Sequence, residues 1–116
     1  MIEPLVFARI KGLAGGRVYP GVAPSNAKPP YLTYTRVSGS RDWTLAGPSG
    51  ALKAAVQVNA WATTPKEAAQ IMEAAFALLS PADADFACTG AEDVPTVDDE
   101  LTTKLHGAAM EFFFIR

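Results

Sequence analysis

One cysteine and one histidine in 116 residues leave little from which to build an active site. A lone Cys88 excludes an intramolecular disulfide framework. No basic residue lies near it in sequence to lower its thiol pKa, so it reads as a small core residue. His106, between Leu105 and Gly107, lies in a different segment and reads as an edge residue at the start of the last strand. Metal ligands at a recognised spacing are lacking, and so is any nucleophile motif. No catalytic residue, metal or cofactor is therefore expected. Long apolar runs are missing too: none approaches the roughly 18 uncharged residues of a membrane span. The opening "MIEPLVFARIKGL" has Glu3 and Pro4 ahead of its apolar residues and Arg9 and Lys11 among them, which breaks the layout of a secretion signal and reads as mature structure. No internal repeat is visible.

What is present suits one folded domain spanning residues 1–116: 49% of residues are hydrophobic and 19% charged. The net charge of -2 hides an asymmetry. Residues 1–66 carry eight basic residues against two acids, and residues 67–116 carry two basic residues against ten acids, so the parts hold +6 and -8. A bipolar surface of that kind would attract copies of itself or face a polyanion on one side, unless the signs interleave on folding.

Leu5, Val6, Ile10 and Leu13 have the spacing of a short helix, stopped by Gly12 or by Gly15 and Gly16. A very short strand at residues 17–19 leads into a loop holding Pro20, Pro24, Pro29 and Pro30. "YLTYTRV", residues 31–37, has strand composition. Residues 38–51, rich in glycine and with Pro48, predict a long hairpin loop or arm carrying Trp43 and Leu45 near its middle and closed by a turn at "GPSG". From Leu52 to Thr63 the even positions are all apolar, the period of a half-buried strand, with Trp61 on the other face. Thr64, Pro65 and Glu67 then form a helix start with N-cap, N1 proline and capping box. Ala68, Ile71, Met72, Ala75 and Leu79 recur at helical steps until Ser80 and Pro81, which predicts a helix over 65–79. A brief strand at residues 86–88 lies between acidic loops, and "EFFFI" predicts a last strand that is central or covered on both sides.

These elements predict an α+β fold: a mainly antiparallel sheet of four to five strands, with the amino-terminal helix and the 65–79 helix on one face. The predicted core is Leu5, Val6, Ile10, Leu32, Tyr34, Val56, Val58, Ile71, Met72, Ala75, Leu79, Phe112 and Phe114. Asp83 and Asp85, or Asp98, Asp99 and Glu100, could hold a divalent cation through carboxylate oxygens. Neither group has calcium-loop spacing, and with Glu92 and Asp93 they read as solvated acidic loops. The basic residues form no run with interleaved aromatics, so sequence-specific nucleic-acid binding is not indicated. Trp43 beside Arg41 could stack on a base, fill a protein pocket or anchor its own loop.

Taken in order, "GGRVYPGVAP", "PPYLTYTRVSG", "VQVNAWATTPKEAAQIMEAAFALL" and "HGAAMEFFFIR" resemble the tail-completion proteins of long-tailed bacteriophages and prophages, a family of tail terminators and head-to-tail joining proteins. The resemblance implies a virion structural protein without catalysis, assembled in the bacterial host cytoplasm as a ring of six on the head-proximal end of the tail. Its implied partners are other copies of itself, the tail tube protein and the head–tail connector proteins. DNA would pass through without sequence-specific binding, and no membrane is involved. Within that picture Arg41, Trp43, Leu45 and Trp61 are the expected subunit or partner contacts. Asp83, Asp85, Glu92, Asp93, Asp98, Asp99 and Glu100 are expected to line the lumen or to pair with basic flanks. A second reading is a non-phage adaptor domain that binds a protein through the Trp43 loop, and a third is a small hydrolase using His106 and Cys88.

Overall fold

The computed structural model describes residues 2–82, 86–94, 99–100 and 105–116, and of Asp42, Asp99 and Glu100 the backbone alone. Helix α1 spans Glu3–Ile10, with Pro4 in its first turn where a missing N–H costs nothing. A 3-10 turn at Leu13–Gly16 follows, in which Gly15 (φ 65°), Gly16 (φ 87°) and, less comfortably, Ala14 (φ 51°) adopt left-handed backbone. Strand β1 (Val18–Pro20) leads through the proline loop to β2 (Tyr31–Thr44) and, after a tight reversal, β3 (Gly47–Ala62). Helix α2 (Pro65–Leu79), β4 (Ala87–Asp93), β5 (Asp99–Glu100) and β6 (Leu105–Ile115) complete the chain.

The strands form one six-stranded sheet in the order β1-β2-β3-β6-β4, with the two-residue β5 also paired to β6. Every pairing is antiparallel except β1 with β2. The α+β class holds, but the sheet has six strands rather than four or five. The additional one, β5, is too short to carry a hydrophobic pattern, so nothing in composition marks it.

Even-numbered residues of β3 face the helices: Ala54, Val56, Val58, Ala60 and Ala62 are buried. They meet Leu32 and Tyr34 of β2 and Phe112 and Phe114 of β6 in the same layer. The helices add Val6, Ile10, Met72, Ala75 and Leu79. Leu5 and Ile71, expected in the core, are only partly buried at its rim, while Ile2, Val18 and Phe86 join it. Phe112 is fully buried and stacks near Phe114, whose ring lies 4.7 Å from that of Phe86. Removing an aromatic ring from such a site costs about 3–5 kcal/mol.

The two helices are tied together by one side chain. The Arg9 guanidinium of α1 donates to the Pro81 carbonyl at 2.6 Å and the Leu78 carbonyl at 3.4 Å, just where α2 runs out of intrahelical donors. Its carbon also lies 4.1 Å from the centre of the Phe86 ring, so the cation covers an aromatic face while neutralising the negative end of α2.

Candidate functional site

Beyond the sheet proper, β2 and β3 continue as a two-stranded arm. The Arg36↔Val56 pairing is followed by Ser38↔Ala55, a bulge at Val37, and the ladder then runs to Arg41↔Leu52 and, after a second register shift, through Trp43↔Pro48 to Thr44↔Gly47. Apart from a two-residue reversal, residues 38–51 are therefore strand rather than loop. "GPSG" is correspondingly not the reversal, which falls at Leu45–Ala46. There the Thr44 hydroxyl accepts from the Ala46 N–H at 3.2 Å and donates to the Gly47 carbonyl at 3.0 Å. Gly47 leaves the turn with φ 118°, which a residue bearing a Cβ rarely adopts. The arm helps give the molecule its elongated form, 53 × 23 × 23 Å.

Nearly all of the arm beyond its root is open to solvent. Trp43 is 70% exposed, and Leu45 at the tip and Val37 at the root are exposed as well. A lone hairpin of this kind has few contacts of its own to hold it. Its root is fixed by Arg36, whose Nε lies 3.0 Å from a Glu3 carboxylate oxygen at the start of α1. The same carboxylate, after burial itself, contributes to raising the Tyr34 hydroxyl above its ordinary pKa. A 350 Å³ cavity opens on the other side of the root between Ser38, Ser40, Lys53, Thr89 and Phe113.

Trp61, the other expected contact, is placed elsewhere. It lies on the face of the sheet away from the helices, opposite Tyr31 on one side and Gly107 on the other. Its ring lies across Gly107 so closely that a Cβ there would stand 2.8 Å from Trp61 Cζ3. Beside it a chain of amides and a hydroxyl crosses the open face: Gln57 Nε2 donates to Asn59 Oδ1 at 2.9 Å, and Asn59 Nδ2 donates to Thr33 Oγ1 at 3.3 Å. The proline loop folds over this end and encloses a 510 Å³ groove with Val22, Pro24, Tyr31, Asn59, Trp61 and Leu105 in its wall. Arg41, Trp43 and Leu45 thus share the arm, while Trp61 belongs to a groove at the far end of β3.

The acids divide in the same way. Glu92 and Asp93 are exposed at the end of β4, in a strand rather than a loop, because their backbone groups complete a ladder with β6 despite polar side chains. Glu92 stands directly opposite Glu111, a like-charge pair that weakens the ladder slightly unless a cation approaches. No described Lys or Arg makes an ion pair with either. Asp99 and Glu100 lie on the β5 backbone opposite His106 and Leu105. His106, paired with Ala62 as well, is an interior position of the sheet and not an edge. Asp83, Asp85 and Asp98 fall outside the described residues, as do the side chains of Asp99 and Glu100.

Among the described residues neither of these two concavities is lined by a His, Cys, Asp or Glu. The groove beside Trp61 offers the hydroxyls of Ser25, Tyr31 and Thr33 and the amide of Asn59. Cys88 packs against the core and its thiol donates to the Gly90 carbonyl at 3.3 Å, away from His106. Among the described residues no group of three His, Cys, Asp or Glu side chains could hold a metal ion. No described helix is long and apolar enough to cross a membrane.

What the geometry offers is therefore surface: an exposed basic and aromatic arm at one end, a groove at the other, and an acidic strand end at the sheet edge. No curated protein matches the chain. The model of the family described as "Tail completion protein gp17" matches residues 6–112, from inside α1 to the buried Phe112 of β6. The chain belongs to this tail completion family of bacteriophages, and as such is a component of the virion.

Proposed function

We propose that this protein completes the phage tail by closing as a ring of copies on the head-proximal end of the tail tube, where it stops tube growth and presents a surface to the head connector. The observation that carries the reading is the arm. A domain of this family spends residues 38–51 on a projection that buries no core and exposes Trp43 and Leu45. Large exposed apolar side chains on a projecting element mark contacts with another molecule. The role is structural rather than catalytic, and a ring of six is the expected copy number. DNA passes through the ring, and the acids Asp83, Asp85, Glu92, Asp93, Asp98, Asp99 and Glu100 either repel it from the wall or bind basic flanks of the next copy. Subunits form in the host cytoplasm and reach the virion by docking on the tube.

The test is electron microscopy of an induced lysate in which the reading frame carries an early stop codon. Full heads lying apart from tails, with tails of abnormal length, are expected. Intact joined particles would remove the tail-completion role. The adaptor reading would then take over, since it places the same Trp43 arm on a partner of another kind.

A further inference from the structure

We propose that the outer edge of the arm, Arg36–Thr44 of β2, pairs with the outer edge of β4 in a second copy of the chain, so that one sheet runs on from subunit to subunit. This rests on the ring reading and specifies its interface. Strand β1 covers β2 only from Leu32 to Tyr34, so among the described residues the backbone groups facing outward along Arg36–Thr44 have no strand beside them. Strand β4 is the opposite edge of the same sheet, and its outer side likewise carries no described strand. The two edges cannot meet within one chain because β3 and β6 lie between them. They can meet only between copies.

Charge selects this pairing over its alternatives. The arm bears Arg36, Arg41 and Lys53 against the single acid Asp42, whereas the end of β4 presents Glu92 and Asp93, with Glu111 across the ladder from Glu92. Arg36 already serves Glu3, so Arg41 is the arm's forward cation. Two β4 edges brought together would set acid against acid, next to the bulge between Cys88 and Gly90 that distorts the strand. Two arms would set Arg41 against Arg41. An arm against β4 instead sets Arg41 against the acidic end of β4, where Asp93 lies on the same face of the sheet as Arg41. The lengths agree as well: Arg36–Thr44 and the seven residues of β4 both suffice for a ladder of ordinary length. Because the joined surfaces differ, the contact is head-to-tail, the kind that closes into a ring when its rotation permits.

The experiment uses the full chain with Cys88→Ala as background. Arg41→Cys and Asp93→Cys are prepared as separate proteins, checked for unchanged melting temperature, mixed at high concentration and oxidised. Disulfide-linked heterodimer in several-fold excess over either homodimer is expected. Arg41→Glu should weaken self-association on the order of tenfold, and mixing it with Glu92→Arg/Asp93→Arg chains should restore it. Homodimers in equal yield, no cross-link at all, or indifference to the charge reversal would overturn the interface. The outcome is separable from that of the stop-codon lysate. Cross-linking with intact joined particles would keep the interface and discard the tail role, and scattered heads and tails without the cross-link would do the reverse.

Discussion

Gly107 and Trp61 occupy opposed positions on β6 and β3, and the absence of a side chain on one is what lets the ring of the other lie flat across the ladder. In Gly107→Ala the new methyl would stand 2.8–3.1 Å from three atoms of the indole, so the ring has to lift into the groove or the strands have to part. We expect a loss of about 1–3 kcal/mol, typical of overpacking. With Trp43→Phe removing the other indole, Trp61 emission should shift on the same substitution, and Trp61→Ala combined with Gly107→Ala should recover most of the stability. A melting temperature unchanged in Gly107→Ala would mean the ring is not held there. Tyr34 supplies a second residue-level prediction. Burial, helped by the Glu3 carboxylate, raises its pKa above the ordinary tyrosine value of 10.0, so the folded chain keeps a proton that the unfolded chain releases first. That contribution to stability is whole below pH 10 and is lost as the pH climbs toward the folded-state value. Thermal unfolding measured between pH 9 and pH 11 should show a smaller decline in Tyr34→Phe than in the parent, on the order of the effect of one shifted group.

At the scale of elements, α1 and α2 lie on the same face of the sheet and share their end contacts through Arg9. Arg9→Ala removes two donors to the terminal carbonyls of α2 and the cation over Phe86. A cost of about 1–2 kcal/mol is expected. Arg9→Lys should restore only part of it, because an ammonium cannot serve two carbonyls and a ring face with one planar group. Hydrogen exchange should locate the damage in the last turn of α2, and exchange unchanged at Leu78–Ser80 would show the clamp to be idle. The start of that helix was legible in residues 64–67: the Thr64 hydroxyl does accept the Glu67 N–H, at 3.2 Å, and α2 begins at Pro65. Of the capping box only this half is made. The alternating face of β3 and the central position of β6 were legible for the same reason, since burial imposes a period that composition records. The brief strand expected at 86–88 is the start of β4, but the continuation of β4 to Asp93 and the ladder of the arm were not legible. Glycine, serine and proline in residues 38–51 and the acids at 92–93 carry the composition of loops, and their strand state comes from ladder hydrogen bonds to residues distant in sequence. The arm as a projection was legible, its ladder was not. Trp61 was placed correctly on the outer face, but its groove depends on how the proline loop folds back, which no local pattern encodes.

On the scale of the whole molecule, the buried core and the exposed arm occupy two ends of one sheet. The core sits under α1 and α2, while the arm leaves it at Arg36 and contributes exposed surface only. Shortening the arm should therefore separate the two properties. In a variant where residues 42–51 are replaced by Asn-Gly, the register pair Arg41↔Leu52 is joined by a two-residue turn whose twist suits a hairpin. The bonds between Leu52 and the Arg116 backbone, 2.8 and 3.1 Å, remain available to hold the root. The melting temperature should stay within a few degrees of the parent, since surface changes away from the core shift stability by about 0.5 kcal/mol or less. Self-association should fall, because the Trp43 and Leu45 anchors are gone and the free edge of β2 shrinks from Arg36–Thr44 to Arg36–Arg41. Sedimentation velocity and a thermal melt on the same sample decide it. Lower stability with unchanged association would make the arm a part of the folding unit, and its exposed tryptophan would no longer mark the way one copy finds the next.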